Sequence, residues 1–306
     1  MNIAILLPCY NEGPAIYEVV RSFQKALPGA TVYVYDNNSA DNTIEEARRA
    51  GAIVRSETRQ GKGHVIRRMF ADIDADIYVM ADGDGTYDAE AAPELVKKMT
   101  DENLDMVVGT RHSVEGHETY RKGHEFGNWL LTTTVRTIFG QGFQDMLSGY
   151  RVFSRRFVKS FPALSTGFQI ETEITIHALS LTLPCAEVQT RYFERAEGTA
   201  SKLSTYKDGI LILSFIMLLF KEIRPFVFFT AIAALMALFS LGLGLPVIIE
   251  FFKTGLVPRL PTAVLSASIM MIGVLSFLCG IILDSLSRGR IEQKRLRYIA
   301  TTNHKE

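Results

Sequence analysis

Two long stretches near the C-terminus carry no charge. Residues 225–249 are uncharged over 25 positions and residues 260–283 over 24. A helix needs about 20 mostly apolar residues to cross the hydrocarbon core of a bilayer, so each stretch is long enough. Core helices of a soluble domain can be equally apolar. Two such runs in succession, rich in Phe, Leu and Met and joined by a short loop, instead predict a transmembrane hairpin. Arg288, Arg290, Lys294, Arg295 and Arg297 follow the second run, and Lys207, Lys221 and Arg224 precede the first. The joining loop holds only Lys253 and Arg259. This bias predicts both ends of the hairpin on the cytoplasmic side of the inner membrane, in a multi-pass arrangement. Met1-Asn2-Ile3-Ala4 has no basic n-region followed by a long apolar stretch and a cleavage site, so no signal peptide is expected and the N-terminal region is expected to stay cytoplasmic. Residues 208–222 are apolar but too short to span, which suits an interfacial helix lying on the lipid surface. The organisation read from this is a soluble domain over 1–205, an interfacial helix over 206–224, two spanning helices over 225–286 and a basic tail over 287–306.

The charge outside these runs is balanced. The chain has 33 Lys+Arg and 33 Asp+Glu, without the basic surplus of an electrostatic nucleic-acid binder. Cys9, Cys185 and Cys279 lie far apart, which excludes a CxxC motif and a disulfide scaffold and suits a reducing compartment. The first 110 residues alternate in pattern. Strands are expected at 2–8, 31–36, 52–57, 76–82 and 105–110, with helices at 14–26, 42–50, 64–73 and 90–100 between them. Short apolar strands alternating with helices of this length predict an α/β fold with a mostly parallel, doubly wound sheet. A polar loop is expected at 112–123, then a helix near 126–139 and mixed elements up to Phe193.

Ligands of such sheets bind beyond the carboxyl ends of the strands. The first strand ends in Pro8-Cys9-Tyr10-Asn11-Glu12 and the second in Asp36-Asn37-Asn38-Ser39. The fourth ends in Asp82-Gly83-Asp84-Gly85-Thr86 and the fifth in Gly109-Thr110-Arg111. No GxGxxG follows the first strand and no GxxxxGK[ST] is present, so neither dinucleotide fingerprint nor P-loop is supported. Gly61-Lys62-Gly63 opens a helix, where amides and the lysine could meet an anion, although a tight glycine turn with a solvated lysine reads as well. Asp82 and Asp84, one residue apart on a strand-to-turn junction, could hold a hard cation such as Mg²⁺ or Mn²⁺ that keeps positions open for phosphates. An Asp-Gly turn is the plain alternative. An EF-hand is disfavoured, because Tyr87 stands where its glycine belongs.

Asp82-Gly83-Asp84-Gly85-Thr86 also resembles the nucleophile motif of haloacid-dehalogenase-type phosphatases, but there it normally sits on the first strand of the domain. The order of motifs favours another family. Pro8-Cys9-Tyr10-Asn11-Glu12, Asp36, Asp82-Gly83-Asp84, Gly109-Thr110-Arg111 and Ser148-Gly149-Tyr150-Arg151 in succession resemble the family 2 glycosyltransferases of the GT-A fold. More narrowly, the chain resembles their membrane-anchored polyprenyl-phosphate (dolichyl-phosphate-type) hexose synthases over roughly residues 1–205. The resemblance implies that Pro8, Tyr10 and Glu12 line the nucleotide pocket, that Asp36 meets the base and that Lys62 faces the nucleotide. It implies that Asp84 binds the metal, with Asp82 at the ribose or the metal, and that Gln169 lies near the sugar. Many relatives carry Gln where this chain has Thr86, which makes Asp88 a substitute third ligand. Arg111, Arg121, Arg151, Arg195, Ser201 and Lys202 are implied on the acceptor-phosphate side, with Asp145 orienting groups at the reaction centre. For any one of these arginines a solvated surface charge is the plain alternative.

The resulting reading is an inverting, metal-dependent transferase. It moves a hexose from a nucleotide-diphosphate sugar, with UDP-sugars favoured over GDP-mannose, to a polyprenyl phosphate at the cytoplasmic membrane face. The resemblance adds a homo-oligomer, a tetramer in relatives. A processive polysaccharide synthase would share the nucleotide-side motifs but normally shows a QxxRW-type motif and more spans. A non-catalytic membrane adaptor leaves the two carboxylates unexplained. His112, His117 and His124 share one loop, but their spacing matches no zinc pattern and suits a polar loop that closes over substrate.

Overall fold

A computed structural model describes residues 1–113, 132–138, 143–195 and 205–302. Clustering of the backbone separates two compact units, Met1–Phe215 with Lys294–Glu306, and Ile216–Gln293.

Among the described residues the first unit is built on seven strands: β1 (Ile3–Cys9), β2 (Thr31–Asp36), β3 (Ile53–Ser56), β4 (Ile77–Met80), β5 (Met106–Ser113), β6 (Arg151–Ser154) and β7 (Cys185–Tyr192). Their order is β3-β2-β1-β4-β6-β5-β7. Neighbours pair in parallel except β6, which runs antiparallel to both β4 and β5. The mostly parallel sheet expected from the alternation is therefore present, with one reversed strand. Helices α1 (Gly13–Ala26), α2 (Thr43–Arg49), α3 (Lys62–Asp72) and α4 (Ala92–Asp101) supply the crossovers. Helices α5 (Arg155–Ser160) and α6 (Ile170–Leu181) follow β6.

β1 reads Ile-Ala-Ile-Leu-Leu-Pro-Cys, with no polar alternation, because it lies mid-sheet with both faces covered. Ile5 and Leu7 share a core with Ile16, Val20 and Phe23 of α1 and with Leu95 and Met99 of α4. Burying one such side chain completely stabilises the fold by about 1.5–3 kcal/mol. A second cluster is aromatic, with Phe70, Tyr78, Phe153 and Phe161 meeting edge-on around 6 Å. β5 extends three residues beyond its expected end at Thr110, because Arg111, His112 and Ser113 pair with Thr190, Arg191 and Tyr192. Sequence pattern could not find this extension, since the ladder rather than side-chain burial holds it.

The C-terminal segment carries α7 (Thr205–Ile223), α8 (Pro225–Thr254) and α9 (Leu260–Ala300). α8 and α9 are long and apolar enough to cross a membrane, and their most apolar windows are only 11% and 17% buried. α9 buries Ser266, Gly273, Gly280 and Ser287, one residue every seven. Such a repeat of small residues lets two helices approach closely where apolar burial gives no drive for association. Gly280 faces Phe229 and Gly273 faces Met236 of α8. The Ser240 and Ser266 hydroxyls each donate to the other's carbonyl at 2.8 Å.

α9 runs on through most of the stretch expected as a basic tail over 287–306, as far as Ala300. Its last turns belong to the first unit. There the Tyr298 hydroxyl donates to Asp105 at 2.6 Å, and the Arg156 guanidinium lies over the Tyr298 ring. Asp105 is fully buried and also accepts from Ser154 and Arg156. Tyr298→Phe removes one bond to a buried charge and is expected to destabilise the first unit by about 1.5 kcal/mol, read as a lower denaturant midpoint. An unchanged midpoint would mean that the helix end is not docked.

Candidate functional site

A cavity of about 290 Å³ lies beyond the carboxyl ends of β1, β2 and β4. Pro8, Tyr10, Glu12, Lys62, Asp82 and Asp84 all line it, as does Arg195. The sheet gathers these residues from positions up to 187 apart in sequence (195 minus 8).

The β1–α1 turn is held by the β2–α2 loop. Asn11 takes a left-handed conformation (φ 51°), and its amide donates to the Ser39 hydroxyl at 2.8 Å. The Glu12 amide donates to the Thr43 hydroxyl, and the Gly13 amide donates to Asp41. Asp36 is buried and accepts from the Ser39 amide at 3.2 Å. Its neighbour Asn37, rather than Asp36, is on the cavity wall. Asn37 donates to the carbonyls of Glu57 and Arg59 and accepts from the Gly61 amide, which fixes the loop leading into α3.

Of the two readings of that loop, an anion cradle or a tight glycine turn, its amides follow the turn. The Gly61 amide is taken by Asn37 and the Gly63 amide by the Thr166 carbonyl at 3.0 Å. Both glycines are required by close approach. A Cβ on either would strike the backbone carbonyls of Ser165 or Thr166, and Gly61 also sits at φ 130°. Gln60, Gly61 and Lys62 of this loop line the cavity. The Lys62 ammonium stands between Asp82 and Glu171, 2.6 Å from the latter. Burial works against this charge, but the two carboxylates outweigh it and hold the lysine ionised well above its ordinary range.

Asp84 is buried, and its two oxygens have different partners. Oδ1 accepts from the Thr86 hydroxyl at 2.7 Å and the Thr86 amide at 3.1 Å. Oδ2 pairs with Arg195 Nη2 at 2.9 Å. Arg195 reaches Asp84 because the end of β7 runs along the Asp-Gly-Asp loop. Tyr87 bridges Tyr192, and the Phe193 amide donates to the Thr86 carbonyl at 2.8 Å. Asp88 caps the Glu90 amide through Oδ1 and pairs with Arg191 through Oδ2. Among the described residues no group of three or more His, Cys, Asp or Glu gathers as a metal site. The wall thus offers the carboxylates of Asp82 and Asp84, one residue apart, and of Glu12, hard oxygen donors of the kind a small divalent cation takes.

A further ion pair stands between β5 and the segment before β6. Arg111 forks onto Asp145, Nε to Oδ2 at 2.7 Å and Nη2 to Oδ1 at 2.6 Å. Burial would raise the Asp145 carboxyl, but the Arg111 hydrogen bonds prevail and hold it below its usual range. Glu187 of β7 accepts from the amides of Gln144 and Asp145 and so fixes this segment. Arg151 is fully buried. It donates to the carbonyls of Ser148 and Met146 and to the Thr175 hydroxyl. Its guanidinium braces the interior rather than the cavity wall. Gln169 immediately precedes α6, and its Oε1 is buried without a hydrogen-bond partner among the described residues. Arg121, Ser201 and Lys202, as well as His117 and His124, lie outside the described residues.

Sequence reasoning missed Glu171, Asn37 and Glu187 as partners. Glu171 sits on a helix buried on nearly every side, so no amphipathic pattern singles out a functional face.

Residues 4–161 match the family model described as glycosyl transferase family 2. Glycosyltransferase AglJ of Haloferax volcanii is 32% identical over 296 residues, 96% of this chain and 97% of that protein. The dolichyl-phosphate hexose transferase of the same organism is 28% identical over 212 residues, 69% of this chain and 90% of that one. Among solved structures, glucosyl-3-phosphoglycerate synthase from Mycobacterium tuberculosis in complex with Mn²⁺, uridine diphosphate and glucosyl-3-phosphoglycerate is similar at a TM-score of 0.57. That similarity covers 70% of this chain and 79% of the other, at 26% identity.

Proposed function

The chain belongs to glycosyl transferase family 2, and from that premise we propose that it transfers a hexose from a nucleotide-diphosphate sugar to a polyprenyl phosphate. The observation that carries this reading is a cavity walled by Asp82 and Asp84 on a chain that continues into two apolar helices of spanning length. The donor is water-soluble, whereas the acceptor's tail belongs in lipid. A sheet domain over 1–205, an interfacial segment over 206–224 and a hairpin over 225–286 would bring both to one surface. The basic residues flanking the hairpin support a cytoplasmic side for that surface. The dolichyl-phosphate hexose transferase similarity supports the acceptor class, and the uridine-diphosphate complex of the structural relative supports a UDP-sugar.

Each side chain has a role in this reading. Pro8, Tyr10 and Glu12 line the space for the nucleotide, and Asp82 and Asp84 hold Mg²⁺ or Mn²⁺. The bound ion supplies charge neutralisation for the departing diphosphate. Lys62, fixed by Glu171, orients Asp82. The buried Gln169 Oε1 is an acceptor suited to a sugar hydroxyl. Arg111, Arg195 and, beyond the described residues, Arg121, Ser201 and Lys202 hold the acceptor phosphate. Arg151 acts through the scaffold instead. The nucleophile is a phosphate oxygen already ionised at neutral pH, so no strong base is required. Asp145 fits that demand, because its fork with Arg111 makes it a poor proton acceptor. Attack from the face opposite the diphosphate inverts the anomeric centre.

The test is transfer of radiolabel by the purified full chain with Mn²⁺ or Mg²⁺, a short polyprenyl phosphate and a panel of UDP- and GDP-sugars. Metal-dependent label in the organic phase is expected from one donor. Label appearing only on a water-soluble acceptor would overturn the lipid reading and leave the family assignment intact. Release of inorganic phosphate from a phosphoester without sugar transfer would instead favour phosphatase chemistry at Asp82.

A further inference from the structure

We infer that Arg195 is an exchangeable cation that holds Asp84 Oδ2 until a divalent ion takes the same oxygen. The inference rests on the proposed reading of Asp84 as a metal ligand.

The two carboxylates are neutralised in unequal ways. Asp82 is met by Lys62, whose ammonium is also tied to Glu171 and whose side chain is only 11% exposed. Withdrawing Lys62 would leave the buried Glu171 and the half-buried Asp82 uncompensated. Asp84 is met by Arg195, whose side chain is 30% exposed and which lies three residues past the end of β7. Asp84 Oδ1 is already committed to two bonds from Thr86. The oxygen left for a metal is therefore Oδ2, the one that Arg195 holds at 2.9 Å. A guanidinium and a divalent ion on one oxygen would stand a few ångströms apart and repel, so occupancy by one dismisses the other.

The release is local. Phe193 stays bonded to the Thr86 carbonyl, and Tyr192 stays bridged to Tyr87. Exchange at Asp84 then asks for movement of the Arg195 side chain, while these strand contacts stay in place. The freed planar guanidinium is suited to fork onto a phosphate. Loading of metal and donor at Asp84 would thus create the cation that captures the acceptor phosphate, and acceptor binding would follow donor binding.

Mn²⁺ binding to the full chain in detergent, without nucleotide and read by electron paramagnetic resonance, decides the exchange. Arg195→Gln is expected to bind Mn²⁺ about threefold or more tightly than the unmodified chain, because the competitor is gone. Arg195→Lys keeps a cation and is expected to stay near the unmodified value. Asp84→Asn is expected to lose the site. Equal or weaker Mn²⁺ binding by Arg195→Gln, with an unchanged melting profile, would overturn the inference. Farnesyl phosphate titrated with and without Mn²⁺ and UDP, against inorganic phosphate and farnesol, decides the acceptor reading separately. Tighter Mn²⁺ binding by Arg195→Gln with no farnesyl phosphate binding in any state leaves the exchange standing and removes the lipid acceptor.

Discussion

Asp84→Asn is expected to lower sugar transfer by about 10³-fold or more, whereas Asp88→Asn is expected to lower it by less than about tenfold. The two residues look equivalent in sequence, as carboxylates on one loop after β4. They differ in what they face. Asp84 lines the cavity, while Asp88 caps a turn and pairs with Arg191. A carboxylate that holds the ion neutralising a departing diphosphate acts mainly in the transition state, so its loss lowers kcat. Three orders of magnitude correspond to about 4 kcal/mol, within the range for losing one preorganised electrostatic contact. Asparagine is the sharper probe than alanine. Its carbonyl can still accept from Thr86, so the buried hydroxyl and amide keep a partner and the loop keeps its shape. Turnover measured at saturating donor, with Mn²⁺ titrated, checks the pair. Near-normal turnover in Asp84→Asn, or a collapse of equal size in Asp88→Asn, would move the metal to the other side of the loop.

The strand-end motifs were legible in the sequence because topology makes them so. Once β1, β2 and β4 are recognised as parallel strands, Pro8 through Glu12, Asn37 and Asp82 through Asp84 must share an edge. The apolar helices were legible because length and lack of charge need no partner to be read. The partners of the charged groups were not. Arg151 and Arg111 read alike as arginines near a motif, yet one braces carbonyls in the interior and the other forks onto Asp145. A carbonyl is present at every position, so a guanidinium buried among carbonyls leaves no trace in composition. Gly61-Lys62-Gly63 was legible as a glycine turn at the start of a helix, but the requirement for glycine was not. The reason is the backbone of Ser165 and Thr166, about a hundred residues further along the chain. The reversal of β6 was equally hidden, since a strand buried on both faces carries no sign of its direction.

Acidification from pH 7.5 to 5 is expected to cost the first unit about 2 kcal/mol of stability, mostly through His177. This side chain is buried, lies edge-on to Phe157 and Phe161 at 5.4 and 5.2 Å, and has its Nδ1 without a hydrogen-bond partner among the described residues. Burial, aided by the positive charge of Lys294, drives its pKa from 6.5 down to about 3. The neutral ring is therefore the form that folds. The unfolded chain takes up a proton near pH 6.5 that the folded chain refuses until about pH 3, so stability falls as pH drops through that window. The slope approaches 1.36 kcal/mol per pH unit, giving about 2 kcal/mol at pH 5 and about 3 at pH 4. Carboxylates held below their usual range, such as Asp72 and Asp145, add their own loss only at lower pH. The interval from pH 6.5 to 4.5 thus isolates the histidine. His177→Leu fills similar space with no ionisable group, and its stability is expected to stay nearly flat across that interval. Unfolding midpoints of the full chain in detergent at pH 7.5, 6 and 5 check this. Parallel slopes for the two proteins would mean that His177 keeps access to water in the folded chain and that the acid sensitivity arises elsewhere.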